Sequence, residues 1–222
     1  MYLFQVSGTS VLGNRIGTTA SGTGALGNDQ YGVTFDSRSD TASNNKLGDG
    51  TAAGSNTIAF HGRDGVEIFT GPGNEISRNS IFSNGGLGID LIGPGETSTT
   101  NVSTPNDPND PLDADTGPNN LQNKPVLSSA KTSSLKTTIK GKLGSAPAKS
   151  YTVEFYANPS NTNEGKKFIG ETTITTSVDG LQTFTFSPAT KVPVGQTVTA
   201  TATNATTHDT SEFSALRTVT SS

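Results

Sequence analysis

The 222-residue sequence contains no cysteine, no tryptophan and a single methionine. Without cysteine, neither a disulfide framework nor a zinc site with thiolate ligands can form. Hydrophobic residues make up only 30% of the chain, which is too little for a set of long amphipathic helices. No apolar run approaches the roughly 18 residues that cross a bilayer, so we expect no membrane insertion.

An excess of charge of one sign is also missing, because 15 basic residues stand against 19 acidic ones and the formal net charge is only -4. The basic residues are scattered, so the sequence predicts no nucleic-acid partner. A net charge this small is also untypical of chains that stay disordered by self-repulsion. The opening Met1-Tyr2-Leu3-Phe4 is neither basic nor long enough for a signal peptide, so we expect any export signal to lie elsewhere.

Glycine is abundant, with 26 residues, and it takes part in an internal repeat. Gly65-Val66-Glu67-Ile68 returns 23 residues later as Gly88-Ile89-Asp90-Leu91, a spacing that suits one turn of a solenoid. Two looser pairs predict earlier turns enlarged by loops. Gly32-Val33-Thr34-Phe35 resembles the segment at Gly65, and Asn14-Arg15-Ile16-Gly17 resembles Asn45-Lys46-Leu47-Gly48.

The repeat predicts a core of stacked aliphatic side chains. Each short strand points only two or three side chains inward, so equivalent residues of successive turns should form columns. Asparagine and glycine mark the corners, because both accept left-handed backbone angles. Stacked corner asparagines are expected to form hydrogen-bonded ladders. The predicted inward residues are Ile58, Val66, Ile68, Ile76, Ile81, Ile89 and Leu91.

These phrases carry a resemblance to a known family. The Asn-x-Ile-x-x-Asn pattern, as in Asn79-Ser80-Ile81-Phe82-Ser83-Asn84, and the phrase Asn84-Gly85-Gly86-Leu87-Gly88-Ile89-Asp90-Leu91 resemble bacterial right-handed parallel β-helix repeat proteins of the pectin-lyase-like superfamily. The resemblance implies a parallel β-helix of a few coils over residues 1–92. Because such proteins are typically large and exported, it also implies further coils upstream in a parent chain and a secreted or cell-surface location.

Residues 93–124 break the repeat with proline, asparagine and aspartate and are interpreted as a cap or linker. Asp107, Asp110, Asp113 and Asp115 are candidate calcium ligands, since hard cations prefer several carboxylate oxygens on a loop. The bidentate glutamate of calcium loops is missing. The alternative is a proline-braced linker in which the aspartates cap Asx-turns.

Alternation with period two begins after Pro125 and predicts a β-sandwich. Seven short strands over residues 125–222 suit an immunoglobulin-like sandwich, although the missing cysteine and tryptophan exclude the antibody type. In Tyr151-Thr152-Val153-Glu154-Phe155-Tyr156 the odd positions should face inward, and Asp179-Gly180 predicts a two-residue hairpin turn. This half resembles the sandwich modules that follow β-helices in bacterial surface proteins. The predicted strands are 126–130, 136–143, 150–157, 167–176, 182–187, 197–204 and 212–218.

No constellation for catalysis is evident in the sequence. His61 is predicted at a corner and His208 in a sandwich loop, with no nucleophile or orienting acid identified for either. We therefore assign no catalytic and no cofactor-binding residues. No cofactor is required by the sequence, and calcium is the candidate ion. The charged residues of the first half, namely Arg63, Asp64, Glu67, Arg78 and Asp90, are interpreted as solvated outer-face charges and corner caps.

Three functional hypotheses follow. The first is a non-catalytic structural or adhesive segment of a large exported bacterial surface protein, with an extracellular glycan or a cell-surface protein as partner. The second is a carbohydrate-binding protein, or a polysaccharide lyase or glycoside hydrolase, whose active coils lie upstream. The third is an ice- or surface-binding solenoid that uses rows of threonine. Its threonine rows, however, stand in the sandwich half, as in Thr199-Ala200-Thr201-Ala202-Thr203, and not in the coils.

Overall fold

The computed structural model describes residues 1–37, 42–94, 109–159 and 162–222. Within these ranges every regular element is a β-strand, apart from one 3-10 turn at Pro118–Leu121. The predicted all-β class is therefore confirmed. None of the described residues belongs to a helix that has the length and apolar character needed to span a membrane.

The first 92 residues form ten short strands in three parallel sheets, with strand orders β1-β4-β7-β10, β2-β5-β8 and β3-β6-β9. Each strand from β4 to β10 pairs with the strand three places earlier in the chain. The chain therefore contributes one strand to each sheet in every circuit. We call each circuit a coil. The strands are β1 Tyr2–Phe4, β2 Ser10–Val11, β3 Arg15–Ile16, β4 Val33–Asp36, β5 Lys46–Leu47, β6 Thr57–Ala59, β7 Val66–Ile68, β8 Glu75–Ile76, β9 Ser80–Phe82 and β10 Ile89–Leu91.

The strand register confirms part of the predicted repeat. Val66 pairs with Ile89 on one side and with Val33 on the other, as the glycine-led phrases predicted. The predicted match of Arg15 with Lys46 is wrong, because β3 pairs with Thr57–Ala59 and Lys46 pairs with Ser10. Both misaligned phrases end in a glycine with positive φ, Gly17 and Gly48. Their likeness therefore reflects the same kind of corner in two different sheets.

All seven residues predicted to face inward are buried, with exposures between 0% and 2%. The register stacks them in columns, such as Ile58 on Ile81 and Ile68 on Leu91. Complete burial of one such side chain stabilises the folded state by about 1.5–3 kcal/mol. Beyond the last coil, Leu121, Tyr156 and Phe213 join the same apolar cluster and close its end.

Asparagine ladders connect the coils, as the sequence predicted. In one ladder the Asn45 N–H donates to Asn74 Oδ1 over 3.3 Å, and the Asn74 N–H donates to Asn119 Oδ1 over 2.9 Å. In a second ladder the Asn14 N–H donates to Asn56 Oδ1 and the Asn56 N–H to Asn79 Oδ1. The side-chain Nδ2 groups donate back to carbonyls of the preceding coil. Each corner amide is thereby satisfied inside the protein.

A histidine replaces asparagine in a third ladder. His61 Nδ1 accepts from the Asn28 N–H over 3.1 Å, and the His61 N–H donates to Asn84 Oδ1 over 3.2 Å. This acceptor role requires an imidazole without a proton on Nδ1. Burial lowers the pKa of His61 and so favours the neutral ring that the ladder needs.

The second half contains seven strands in the order β14-β13-β16-β17-β11-β12-β15. Strand β17 pairs antiparallel with β16 and parallel with β11, which joins the two groups of strands. The strands are β11 Val126–Thr132, β12 Thr137–Gly144, β13 Ser150–Asn158, β14 Lys167–Thr175, β15 Leu181–Phe186, β16 Thr197–Asn204 and β17 Arg217–Ser221.

Two predictions for this half are wrong. Asp179-Gly180 lies in a turn between β14 and β15, but these two strands do not pair with each other. Strand β14 pairs with β13, and β15 pairs with β12. The turn therefore connects strands at opposite ends of the strand order and makes no hairpin. The last strand begins at Arg217, five positions later than predicted. Residues 211–214 instead follow β16 through side-chain contacts, in which Ser211 and Ser214 hydroxyls accept the Ala202 and Ala200 N–H groups.

Strand β13 is buried on both faces. Tyr151, Val153 and Phe155 lie in the core of the second half, as predicted. Glu154 and Tyr156 are also buried, with exposures of 2% each, because they face the last coil. Period-two alternation identified the first face and gave no sign that the second face is covered.

The ladder makes a direct prediction about stability. Replacing Asn56, which is fully buried, with alanine leaves the Asn14 N–H without its acceptor and removes one of the two donors to the Val11 carbonyl, the other being the Gly48 N–H. We expect Asn56→Ala to lower the free energy of unfolding by about 2–4 kcal/mol. Urea denaturation measures the difference. The exposed Asn14 begins the same ladder, and Asn14→Ala as the matched control should cost less than about 1 kcal/mol; equal losses would contradict the ladder's role.

Candidate functional site

Three of the four aspartates predicted as calcium ligands lie together. Asp110, Asp113 and Asp115 each offer a carboxylate oxygen, and these oxygens lie within 4.8 Å of one another. All three are partly buried. Asp107 lies outside the residues that the structure describes. We call Asp110, Asp113 and Asp115 the linker cluster.

The linker cluster is also held by hydrogen bonds from the protein. Asp113 accepts from the Asn123 N–H through Oδ1 and from the Ser145 hydroxyl through Oδ2, each over 2.7 Å. Asp110 Oδ2 accepts from the Ala114 N–H over 2.8 Å. Burial raises the pKa of Asp113 above its ordinary value, against the effect of these donors. Turn-capping and calcium binding, the two alternatives for this segment, therefore use the same carboxylates.

A second acidic cluster lies in the coils, where the sequence predicted solvated charges. Asp64, Glu67 and Asp90 have exposures of 3%, 1% and 3%, and their candidate ligand oxygens lie within 4.8 Å of one another. Solvation is therefore wrong for all three residues, although Asp64 is a corner cap, the other role expected for this group, because it accepts the Leu87 N–H. We call them the coil cluster. Two arginines of the same interpretation, Arg63 and Arg78, are half-buried.

The coil cluster has a register signal that sequence reasoning missed. Glu67 and Asp90 hold the same position in the two glycine-led phrases and are direct partners on β7 and β10. Adjacent parallel strands place such partners about 4.8 Å apart. Asp64 joins from the turn before β7, where its Oδ1 accepts the Leu87 N–H over 2.6 Å.

Glu67 is in an unusual environment for a carboxyl group. Its Oε2 is buried and makes no hydrogen bond to any residue in the described ranges. Burial is the main reason that the pKa of Glu67 is raised to about 8. The hydrogen bond with the Tyr31 hydroxyl lowers this pKa, and the charge of Asp64 raises it further. Arg63 also opposes the rise, and its Nη1 donates to the Tyr31 hydroxyl over 2.8 Å.

An open pocket lies on the outer face of the four-stranded sheet, above the coil cluster. Tyr31 and Arg63 line the pocket and also interact with Glu67, so they separate the buried carboxyls from the surface. The cavity measures about 490 Å³. Its walls combine aromatic rings with polar groups, namely Tyr2, Gln30, Tyr31, Thr34, Asp36, Arg63 and Phe69.

The last coil ends against buried carboxylates of the second half. Strands at the end of a parallel sheet leave a row of N–H groups without partners. Glu154 accepts from the Ser77 hydroxyl over 2.6 Å and from the Arg78 N–H over 2.9 Å. Glu164 accepts the N–H groups of Ser83 and Asn84 over 2.8 and 3.0 Å. We call Glu154, Glu164, Asp209 and Glu212 the capping carboxylates.

The other two capping carboxylates act in the same way. Asp209 accepts from the Gly73 N–H over 2.6 Å, and Glu212 accepts from the Leu91 N–H over 3.3 Å. Lys124 forms an ion pair with Glu212 over 2.9 Å. Glu164 also ends the third ladder. Asn84 Oδ1 accepts the His61 N–H, and Glu164 in turn accepts the Asn84 N–H. The second half thus supplies the acceptors that a further coil would have supplied.

The two histidines have separate surroundings. His61 is a buried member of the third ladder. His208 lies in a loop of the second half, yet its Nδ1 is 3.3 Å from Glu75 Oε2 in the coils. Lys46 Nζ lies 3.6 Å from the same Glu75 oxygen. His208 therefore contributes to the contact between the halves.

The capping carboxylates predict local changes in amide hydrogen exchange. Glu164→Ala removes the acceptor of the Ser83 and Asn84 amides, and we expect both amides to exchange at least about tenfold faster, since one lost hydrogen bond is worth about 1.5 kcal/mol. Glu171→Ala, at an exposed position of the neighbouring strand β14, is the matched control and should leave both rates unchanged. Unchanged rates in Glu164→Ala would show that Glu164 does not cap these amides.

Comparison with known proteins gives no family for the chain. No protein-family model matches the sequence, and no curated protein matches it.

Proposed function

We propose that this chain is a non-catalytic structural or adhesive segment of a large exported bacterial surface protein. In this proposal residues 1–92 are coils of a right-handed parallel β-helix, residues 93–124 are a cap or linker, and residues 125–222 are an immunoglobulin-like sandwich. The location is the cell surface or the secreted fraction. The partners are an extracellular glycan or a cell-surface protein, with further coils upstream in a parent chain.

The fold part of the proposal is supported by the strand pairing. Three parallel sheets visited in turn, with asparagine ladders at the corners, are what a β-helix requires. The right-handed sense follows from the general rule for crossovers between parallel strands. Seven strands in two groups that meet at β17 support a sandwich.

The capped end of the coils is the observation that carries the functional part. Solenoids need a terminal unit with a polar outer face, because open strand edges pair with other chains. Four carboxylates of the second half meet N–H or hydroxyl groups of the last coil, and Gly165 adds an antiparallel bridge to Ile81. Such a junction couples the coils to the second half, which suits a surface protein that is exposed to mechanical force.

A carbohydrate-binding or polysaccharide-degrading role is the second candidate, and the pocket on the outer face favours it. Aromatic rings stack on sugar faces, and carboxylate, guanidinium and amide groups bind hydroxyls. Tyr2, Tyr31 and Phe69 supply the rings, while Asp36 and Arg63 supply polar groups. Under this alternative the active coils lie upstream, and the enzyme would be a lyase or a glycoside hydrolase.

Turnover and binding assays separate the two candidates. We expect the purified chain to release no product from pectate, alginate or neutral glycans, and to bind cells or immobilised surface glycans. Binding should persist in Glu67→Gln, because the coil cluster is buried below the pocket. Polysaccharide turnover that falls in Glu67→Gln would contradict the non-catalytic proposal, and the absence of any surface binding would contradict the adhesive part.

We also propose that the linker cluster binds calcium. Removal of calcium then lowers stability by mass action, so the melting temperature should be several degrees higher in about 100 Kd of CaCl₂ than in chelator. Asp113→Asn combined with Asp115→Asn should reduce this gain, whereas Asp179→Asn, in the turn before β15, should retain it. Gains of equal size in the double variant and the parent would contradict calcium binding at the linker cluster.

A further inference from the structure

We propose that the coil cluster, formed by Asp64, Glu67 and Asp90, is a buried structural calcium site that ties β7 to β10 and to the turn before β7. The site is separate from the linker cluster. It is independent of the adhesive function, because a stabilising ion is compatible with any surface role of the coils.

The arrangement of the three carboxyl groups supports the site. Glu67 and Asp90 are direct partners on neighbouring parallel strands, and Asp64 is fixed by the Leu87 N–H. Oxygens bound to one Ca²⁺ at 2.3–2.6 Å lie no more than about 5 Å apart. The observed limit of 4.8 Å meets this condition without a change in backbone register.

An unsatisfied oxygen of Glu67 is a second observation that points to a ligand, beside the spacing of the carboxyl groups. Glu67 is 1% exposed, and its Oε2 is buried with no hydrogen-bond partner among the residues that the structure describes. A buried carboxylate oxygen left in this state costs about 1–3 kcal/mol or more. A cation bound to Oε2 removes this cost.

The local charge also favours a cation over the empty cluster. Three buried carboxyl groups lie together, and the Asp36 charge acts on Glu67 as well. Arg63 is a basic side chain that acts on Glu67. Its Cζ lies 5.5 Å from the centroid of the Tyr31 ring, and its Nη1 donates to the Tyr31 hydroxyl. A divalent cation between the three carboxyl groups would offset their mutual repulsion.

Calcium suits this geometry better than magnesium. Mg²⁺ demands near-octahedral ligands at 2.0–2.1 Å and retains several waters, whereas Ca²⁺ accepts irregular sets of oxygens at longer distances. The three carboxyls are buried, which leaves little space for a hydrated magnesium ion. Tyr31 and Arg63 line both the pocket and the environment of Glu67, so side-chain movement there gives the ion a route from the solvent.

Terbium luminescence tests the proposal, with Tb³⁺ and Ca²⁺ themselves as the probes. The full chain carries Asp113→Asn and Asp115→Asn throughout, so that the linker cluster does not contribute. Because the Tyr31 hydroxyl bonds to Glu67, Tb³⁺ in the coil cluster should be excited through Tyr31. We expect one ion per chain, displacement by Ca²⁺, and a calcium-dependent rise in melting temperature of at least about 4 °C.

Matched variants identify the site. Glu67→Gln should weaken ion binding at least about tenfold and remove the calcium-dependent rise, while Asp49→Asn, on an exposed loop of the coils, should change neither. Tyr31→Phe should lose the luminescence but keep the calcium-dependent rise. If Glu67→Gln does not fold, Asp90→Asn takes its place. Absence of a bound ion in the parent chain, or binding that is unchanged in Glu67→Gln, would overturn the proposal.

Discussion

The structure depends on one recurrent interaction, in which a side chain of one layer accepts the backbone N–H of the layer before it. Short strands of two to four residues form few ladder bonds of their own, and each corner between them would leave buried amides unsatisfied. Asn74 and Asn56 remove that cost inside the coils. His61 does the same in the third ladder, where burial lowers its pKa and so favours the neutral ring.

The same requirement explains how the coils end. No further coil follows the last one, so its amides need acceptors from another part of the chain. Asn119 of the 3-10 turn continues one ladder, and Glu164 of the second half ends another. These acceptors come from segments with no sequence likeness to the coils, which makes the second half part of the coils' hydrogen-bond network. Truncation between the halves would therefore expose both an apolar core and a row of free amides.

Much of the fold could be predicted because its signals are local and periodic. The glycine-led phrases at Gly65 and Gly88 fixed one register, and alternation along β13 identified the core of the second half. Contacts between distant segments had no such signal. Glu154 stands in a strand whose alternation marks it as outward-facing, and only its packing on Ser77 and Arg78 buries it. For the same reason the linker cluster, which is local in sequence, was predicted, while Asp64 in the coil cluster was interpreted as solvated.

Amide hydrogen exchange in the unmodified chain tests the central claim most directly. If Asn119 and the second half replace a missing coil, the last-coil amides that donate to them should be protected to the same degree as the Asn45 and Asn56 amides inside the ladders. Exchange near the unfolded rate at the last coil, with Asn45 and Asn56 still protected, would contradict the account. The amides to be compared are those of Gly73, Asn74, Ile76, Arg78, Ser83, Asn84 and Leu91.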